Sequence, residues 1–153
     1  MLKENGYEVV INPEDRVLSK EELVAALNQR YDAVLCDLDD KITAEILDEA
    51  KSNGVKIFAN YAVGYDNIDV KAAEERGIMA TNTPGALTNT VAEHAFGLML
   101  AIARRIPEAD RYTRAGKFKS WGPTLLLGED VSKKTLGIVG LGRIGSRVAH
   151  HAV

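Results

Sequence analysis

The chain has 153 residues, 46% of them hydrophobic and 27% charged, and a formal net charge of −3 at pH 7. That length suits one ordinary domain, and the composition is that of a soluble globular protein without low-complexity tracts. A weak negative balance gives no general attraction to nucleic acid or to an anionic membrane.

The opening MLKENG reads as the last turn of a helix ending at a glycine cap, Gly6, and lacks the apolar core of a secretory leader. Tyr7–Ile11 (YEVVI) is a short β-rich run, expected to be a strand. SKEELVAALNQR follows as an amphipathic helix, with Ser19 and Glu22 spaced as a capping box. Ala33–Leu38 (AVLCDL) is continuously apolar up to its aspartate, which predicts a strand covered on both faces. Its cysteine, Cys36, is the only one in the chain, cannot form an internal disulfide, and reads as a small buried hydrophobe. TAEILDEAKSNG is a second helix, capped by Thr43 and stopped at Gly54; Val55–Asn60 is the next strand. DNIDVKAAEERG gives a short helix ending at Gly77, and Ile78–Thr83 a further strand. Such alternation predicts a parallel sheet with right-handed helical crossovers, with ligands outside the carboxyl ends of the strands. Two loops occupy those ends, YAVGYDN and NTPGALTN.

A long helix, TVAEHAFGLMLAIARR, comes next, with Thr90 and Glu93 as a second capping box. It is apolar nearly all round, which predicts burial on several sides, between domains or between subunits. Its charged residues break the stretch before it could span a membrane. The basic residues between Arg104 and Lys119 are interrupted by Glu108 and Asp110 and read as a solvated helix face. GKFKSWGPTLLLGEDVSKK reads as an extended arm or linker, broken at Gly122, Pro123 and Gly128. Thr135–Gly140 is then a buried strand running into a glycine turn, so that KTLGIVGLGRIG opens a new unit. A cytoplasmic location fits these features.

Three constellations bear on chemistry. In the glycine turn, Gly140 permits a tight bend, Gly142 lets a pyrophosphate approach the backbone, and Gly145 lets the helix pack on its strand. The helix N-terminus behind it presents unpaired N–H groups to the phosphates. In NYAVGYDNID, Gly64 can turn successive N–H groups outward as a nest for a carboxylate. It can equally make only a turn, with Asp66 or Asn67 capping the next helix; both readings stand. Among the histidines, His94 lies beside Glu93, but adjacent helical residues do not face each other, so His94 reads as a buried or interface residue. His150 and His151 fall on the terminal helix, with exposure or fraying expected. No Ser–His–acid set and no metal-ligand spacing occurs.

Three segments, ANYAVGYDNID, GIMATNTPGALTNTVAEHAFGLMLAIARR and KTLGIVGLGRIGSRVA, resemble the D-isomer-specific 2-hydroxyacid dehydrogenases, most closely the glyoxylate/hydroxypyruvate reductase branch. The resemblance runs collinearly over nearly the whole chain. It implies two flavodoxin- or Rossmann-like domains with the site in the cleft between them, a nicotinamide cofactor, NAD or NADP, and a small 2-oxo or 2-hydroxy acid as substrate. Carried over by residue, Val63 and Gly64 match the loop whose N–H groups hold the substrate carboxylate. Thr90 lies in the TxxxAE segment that approaches the cofactor, and Gly140, Leu141, Gly142, Arg143, Ile144 and Gly145 form the pyrophosphate turn. The helix Val91–Ile106 and the arm around Trp121 match segments that build a homodimer.

The expected fold class is thus α/β. A flavodoxin-like parallel sheet lacking its first strand (1–85) leads through a dimerisation helix and arm (86–130) to the first βα unit of a Rossmann domain (131–153). On this reading the family's first strand would precede Met1, and its catalytic arginine, glutamate and histidine, with the acid that separates NAD from NADP, would follow Val153. No catalytic residue is assigned, and the chain is expected to be inactive alone and to hold the dinucleotide weakly. Unpaired strand edges invite exchange of strands between copies. An alternative from another class is a non-catalytic oligomerising or dinucleotide-sensing module, related to the family's C-terminal-binding-protein transcriptional corepressors.

Overall fold

The computed structural model describes residues 1–14 and 16–153, which divide into two units, Met1–Pro84 and Gly85–Val153. The first begins with a single 3-10 turn, Lys3–Asn5, closed by Gly6. It continues as α1 (Lys20–Leu27), β1 (Ala33–Cys36), α2 (Ala44–Ser52), β2 (Ile57–Asn60), α3 (Val70–Glu75) and β3 (Met79–Thr81). The three strands are parallel in the order β1-β2-β3, with Val34 opposite Phe58 and Phe58 opposite Ala80.

Local sequence sets the helix starts. The Ser19 hydroxyl accepts from the Glu22 N–H at 3.2 Å while the Glu22 carboxylate accepts from the Ser19 N–H at 2.8 Å, completing the predicted capping box. Thr43 caps α2. At α3 the cap is Asp69, which accepts from the Ala72 N–H at 2.9 Å; neither Asp66 nor Asn67 serves there. Asn67 is instead buried.

Crossovers that move one way across a parallel sheet put their helices on one face, as right-handed connection requires. Here α1, α2 and α3 form one layer over one side of the sheet, and Leu27, Ile42, Ile46, Leu47, Phe58 and Ile78 fill the space between. Each such side chain, fully buried, stabilises the unit by about 2 kcal/mol before conformational entropy is counted. The other sheet face carries Ala33, Leu35, Ile57, Ala59 and Met79, and Leu35 is 71% exposed. Two-sided cover of AVLCDL is therefore not what forms: β1 alternates, with Cys36 inward and Leu35 outward. Tyr7–Ile11 is not a strand either. All its side chains but the half-buried Val9 are exposed, and no neighbouring strand among the described residues offers it a ladder.

The second unit holds α4 (Thr88–Ala103), α5 (Ile106–Arg114) and α6 (Arg143–His151). α4 starts three residues earlier than predicted, with Leu87 at its N-cap, so Thr90 lies in the first turn and no Thr90–Glu93 box forms. Arg105 sits between α4 and α5 with φ +54, and α5 buries nothing, carrying the ion pairs Arg105–Glu108 and Arg114–Asp110 on the solvated face expected of it. The arm is not free of the helix. The Glu129 N–H donates to the Ala103 carbonyl at 2.8 Å, Asp130 pairs with Arg104, and a Cβ at Gly128 would lie 2.5 Å from that same carbonyl oxygen. Only glycine lets the arm come so close.

α6 packs on α4, with the Phe96 and His151 rings edge to face at 6.3 Å, so His151 is half-buried and not frayed. A single neighbouring helix covers only one stripe. Ala92 is buried, whereas Val91, Ala95, Leu98 and Ile102 along the other side are exposed, as is His94. Burial of α4 on several sides is thus not met within the chain. Thr135–Gly140 runs into α6 as expected but joins no ladder, since no strand among the described residues lies beside it.

Candidate functional site

Two clusters of outward-facing backbone N–H groups stand out, one in each unit. The first is the loop after β2. Three of its consecutive carbonyls are taken by neighbours: Ala62 accepts from the Thr83 N–H, Val63 from Asn82 Nδ2 and Gly64 from Asn60 Nδ2, each at 2.8 Å. In a planar trans peptide the N–H points opposite to its carbonyl. The N–H groups of Val63, Gly64 and Tyr65 therefore turn away from these anchors, and none donates to an acceptor among the described residues. All three residues are exposed. Successive free N–H groups form a concavity suited to one carboxylate.

The anchors are themselves braced. Asn60 and Asn67, exposed by only 2% and 4%, exchange reciprocal amide hydrogen bonds of 3.1 and 3.2 Å. Asn67 Nδ2 also donates to the Asp37 and Asp40 carbonyls, which ties the turn after β1 to the loop after β2. Buried amides this fully paired fix a conformation, because leaving one unpaired costs about 1–3 kcal/mol. Gly64 does not use the left-handed region; a Cβ there would sit 3.3 Å from Asp66 Oδ1 and 3.6 Å from Leu38. The anchored carbonyls, not a positive φ, turn the loop. Cys36 stays a neutral thiol: burial, reinforced by the Asp40 charge, pushes it up to about 11, and its Sγ lies 3.5 Å from Asn60 Oδ1.

The second cluster is the glycine turn. Gly140 has φ +93, a bend that L side chains rarely adopt. A Cβ on Gly145 would fall 1.9 Å from the Gly140 carbonyl oxygen, so α6 meets the turn with no room for a side chain. Around Gly142 the space is open, with nothing within 4 Å of an added Cβ. Gly142 is the N-cap of α6 without a side-chain cap, and the Arg143, Ile144 and Gly145 N–H groups have no acceptor among the described residues. An open glycine face, free N–H groups and the positive end of a helix dipole fit a dinucleotide pyrophosphate. Leu141 stands exposed beside it. Thr90, exposed in the first turn of α4, is the remaining residue singled out from sequence.

Among the described residues no histidine pairs with a carboxylate, and no group of three or more metal-ligating side chains occurs. No helix among the described residues is long and apolar enough to cross a membrane. The sequence reading missed Asn60 and Asn82, and gave Asn67 only as a candidate helix cap. A signal was present, since amides close the apolar runs VKIFAN and IMATN, where a strand's carboxyl end meets a loop.

A family model described as D-isomer specific 2-hydroxyacid dehydrogenase, catalytic domain, matches residues 1–146. A glyoxylate reductase of Thermococcus gammatolerans is 47% identical over 156 aligned positions, covering 99% of this chain and 46% of that protein. The crystal structure of the TT0316 protein of Thermus thermophilus superposes with a TM-score of 0.91 at 44% identity, over 99% of this chain and 47% of that one. D-lactate dehydrogenase of Aquifex aeolicus, solved with NAD and lactic acid, gives a TM-score of 0.69 at 29% identity, over 84% of this chain and 37% of that one. The chain thus spans less than half the length of these relatives.

Proposed function

The chain belongs to the D-isomer-specific 2-hydroxyacid dehydrogenase family, and from that premise we propose that it contributes the carboxylate loop and the dinucleotide turn of a glyoxylate/hydroxypyruvate reductase. The observation that carries this reading is the peptide arrangement after β2, with three carbonyls held back and the N–H groups of Val63, Gly64 and Tyr65 facing out. A 2-oxo acid would place its carboxylate there, fixing which way its carbonyl lies. Gly140, Leu141, Gly142, Arg143, Ile144 and Gly145 would hold the pyrophosphate of NAD or NADP, with the α6 dipole favouring its charge. Thr90, on the first turn of α4, would meet the same cofactor. The bound nicotinamide supplies the hydride that reduces the 2-oxo group.

This chain's residues bind and orient. The proton for the new hydroxyl needs a positioned acid, and none of His94, His150 and His151 is paired with a carboxylate among the described residues. The 153-residue chain alone is therefore expected not to oxidise NADPH or NADH when glyoxylate is added. The exposed stripe on α4, with the Trp121 arm, supports a homodimer, and a cytoplasmic location goes with a nicotinamide-dependent metabolic enzyme.

Mapping two ligands onto the amides of the 15N-labelled chain tests the assignment. Oxalate should shift Val63, Gly64 and Tyr65, and ADP-ribose should shift Gly142, Arg143 and Ile144. Shifts elsewhere, or none at millimolar ligand, would remove the assignment.

A further inference from the structure

We infer that Asn82 and Asn60 are positioning residues for the substrate carboxylate, acting through the carbonyls of Val63 and Gly64. The inference rests on the function proposed above and goes beyond it, because neither side chain needs to touch the substrate.

A loop peptide can rotate between a state with its N–H outward and one with its carbonyl outward. The first attracts a carboxylate and the second repels it. Asn82 Nδ2, from the segment after β3, holds the Val63 carbonyl at 2.8 Å and so commits the Gly64 N–H outward. Asn60 Nδ2, from the end of β2, holds the Gly64 carbonyl at 2.8 Å and commits the Tyr65 N–H. The Thr83 N–H does the same for Val63 through the Ala62 carbonyl. Two of the three anchors, Asn82 and Thr83, are consecutive, so the segment after β3 sets the loop after β2. The arrangement matters because a carboxylate stands close by. Asp66 Oδ1 lies 3.3 Å from where a Gly64 Cβ would be, and its charge opposes a bound anion. N–H groups already committed outward offset that repulsion without reorganising when the anion arrives.

The two anchors differ in risk. Asn60 is buried in the amide pair with Asn67, so its loss threatens the fold. Asn82 is only half-buried and, among the described residues, makes one side-chain hydrogen bond, to Val63. The test therefore compares the chain with Asn82→Ala and with Asn82→Leu, which keeps about the size and adds no charge but removes the donor. Oxalate is titrated while the Val63, Gly64 and Tyr65 amides are followed, and ADP-ribose is titrated at Gly142 as a control for general damage. Both variants are expected to bind oxalate about tenfold more weakly, from the loss of one hydrogen-bonded constraint, with ADP-ribose affinity and circular dichroism unchanged. Equal oxalate affinity in wild type and variants would overturn the inference and leave the proposed function standing. Absence of oxalate shifts in the wild type would overturn both. A parallel loss of oxalate and ADP-ribose binding would mean that Asn82 only supports the fold, and would overturn the inference alone.

Discussion

Gly142 and Gly145 differ in what an added methyl group would meet. At Gly142 it meets open space; at Gly145 it meets the Gly140 carbonyl at 1.9 Å. Gly145→Ala should therefore push α6 off the turn and lower the melting temperature. Gly142→Ala should leave melting unchanged within about 0.5 kcal/mol, yet abolish the ADP-ribose shifts by filling the face a pyrophosphate would approach. Thermal melts and amide titrations of the two variants separate packing from binding. The spacing of the motif already assigned helix packing to Gly145 and the approach of a pyrophosphate to Gly142; the contact distances show how little room the first has and how much the second. The carboxylate loop was legible only in part. Gly64 marked the place, but the device that turns its peptides joins a nearby amide, Asn60, to one distant in sequence, Asn82, and register between β2 and β3 decides that Asn82 meets Val63.

The starts of α1 and α2 were well read, because a cap depends on residues within one turn of each other, whereas α3 and α4 begin at Asp69 and Leu87, which the sequence did not single out. Removing the Ser19 hydroxyl (Ser19→Ala) should cost about 1 kcal/mol of stability, measured by denaturant unfolding. The same box gives a pH prediction. Arg16 Nη1 and Nη2 meet the Glu22 carboxylate at 2.8 and 2.6 Å, and this pairing, helped by the Ser19 N–H, holds Glu22 down to about 2. Since the folded value lies below the usual ~4.3, the stabilisation is present above ~4.3 and fades as pH falls toward 2. An NMR titration of Glu22 should find its midpoint near 2, and Arg16→Ala should bring it back toward the ordinary range. Strands were read less well. Tyr7–Ile11 and Thr135–Gly140 have strand composition, but a strand exists only where a neighbour completes its hydrogen bonds, and that is not a local property. The covered and bare faces of β1 follow from the order of its neighbours, which an apolar run does not encode.

At the scale of the whole molecule, Val91, Ala95, Leu98 and Ile102 recur at helical spacing on the exposed side of α4, the pattern of a seam between helices. A charge at its centre should separate copies. Leu98→Glu is expected to shift the protein from dimer to monomer in native mass spectrometry without changing its circular dichroism; a wild-type monomer would remove the proposed homodimer. Family membership was readable from three collinear motifs, whereas the anchoring of the loop after β2 by Asn60 and Asn82 required the fold. The most direct test of the central claim is titration of the 15N-labelled chain with oxalate and with ADP-ribose. The account predicts oxalate shifts at Val63, Gly64 and Tyr65 and ADP-ribose shifts at Gly142, Arg143 and Ile144, the latter lost when Gly142 is replaced by alanine. ADP-ribose shifts with no response to millimolar oxalate would contradict it, and would instead describe a dinucleotide-sensing module.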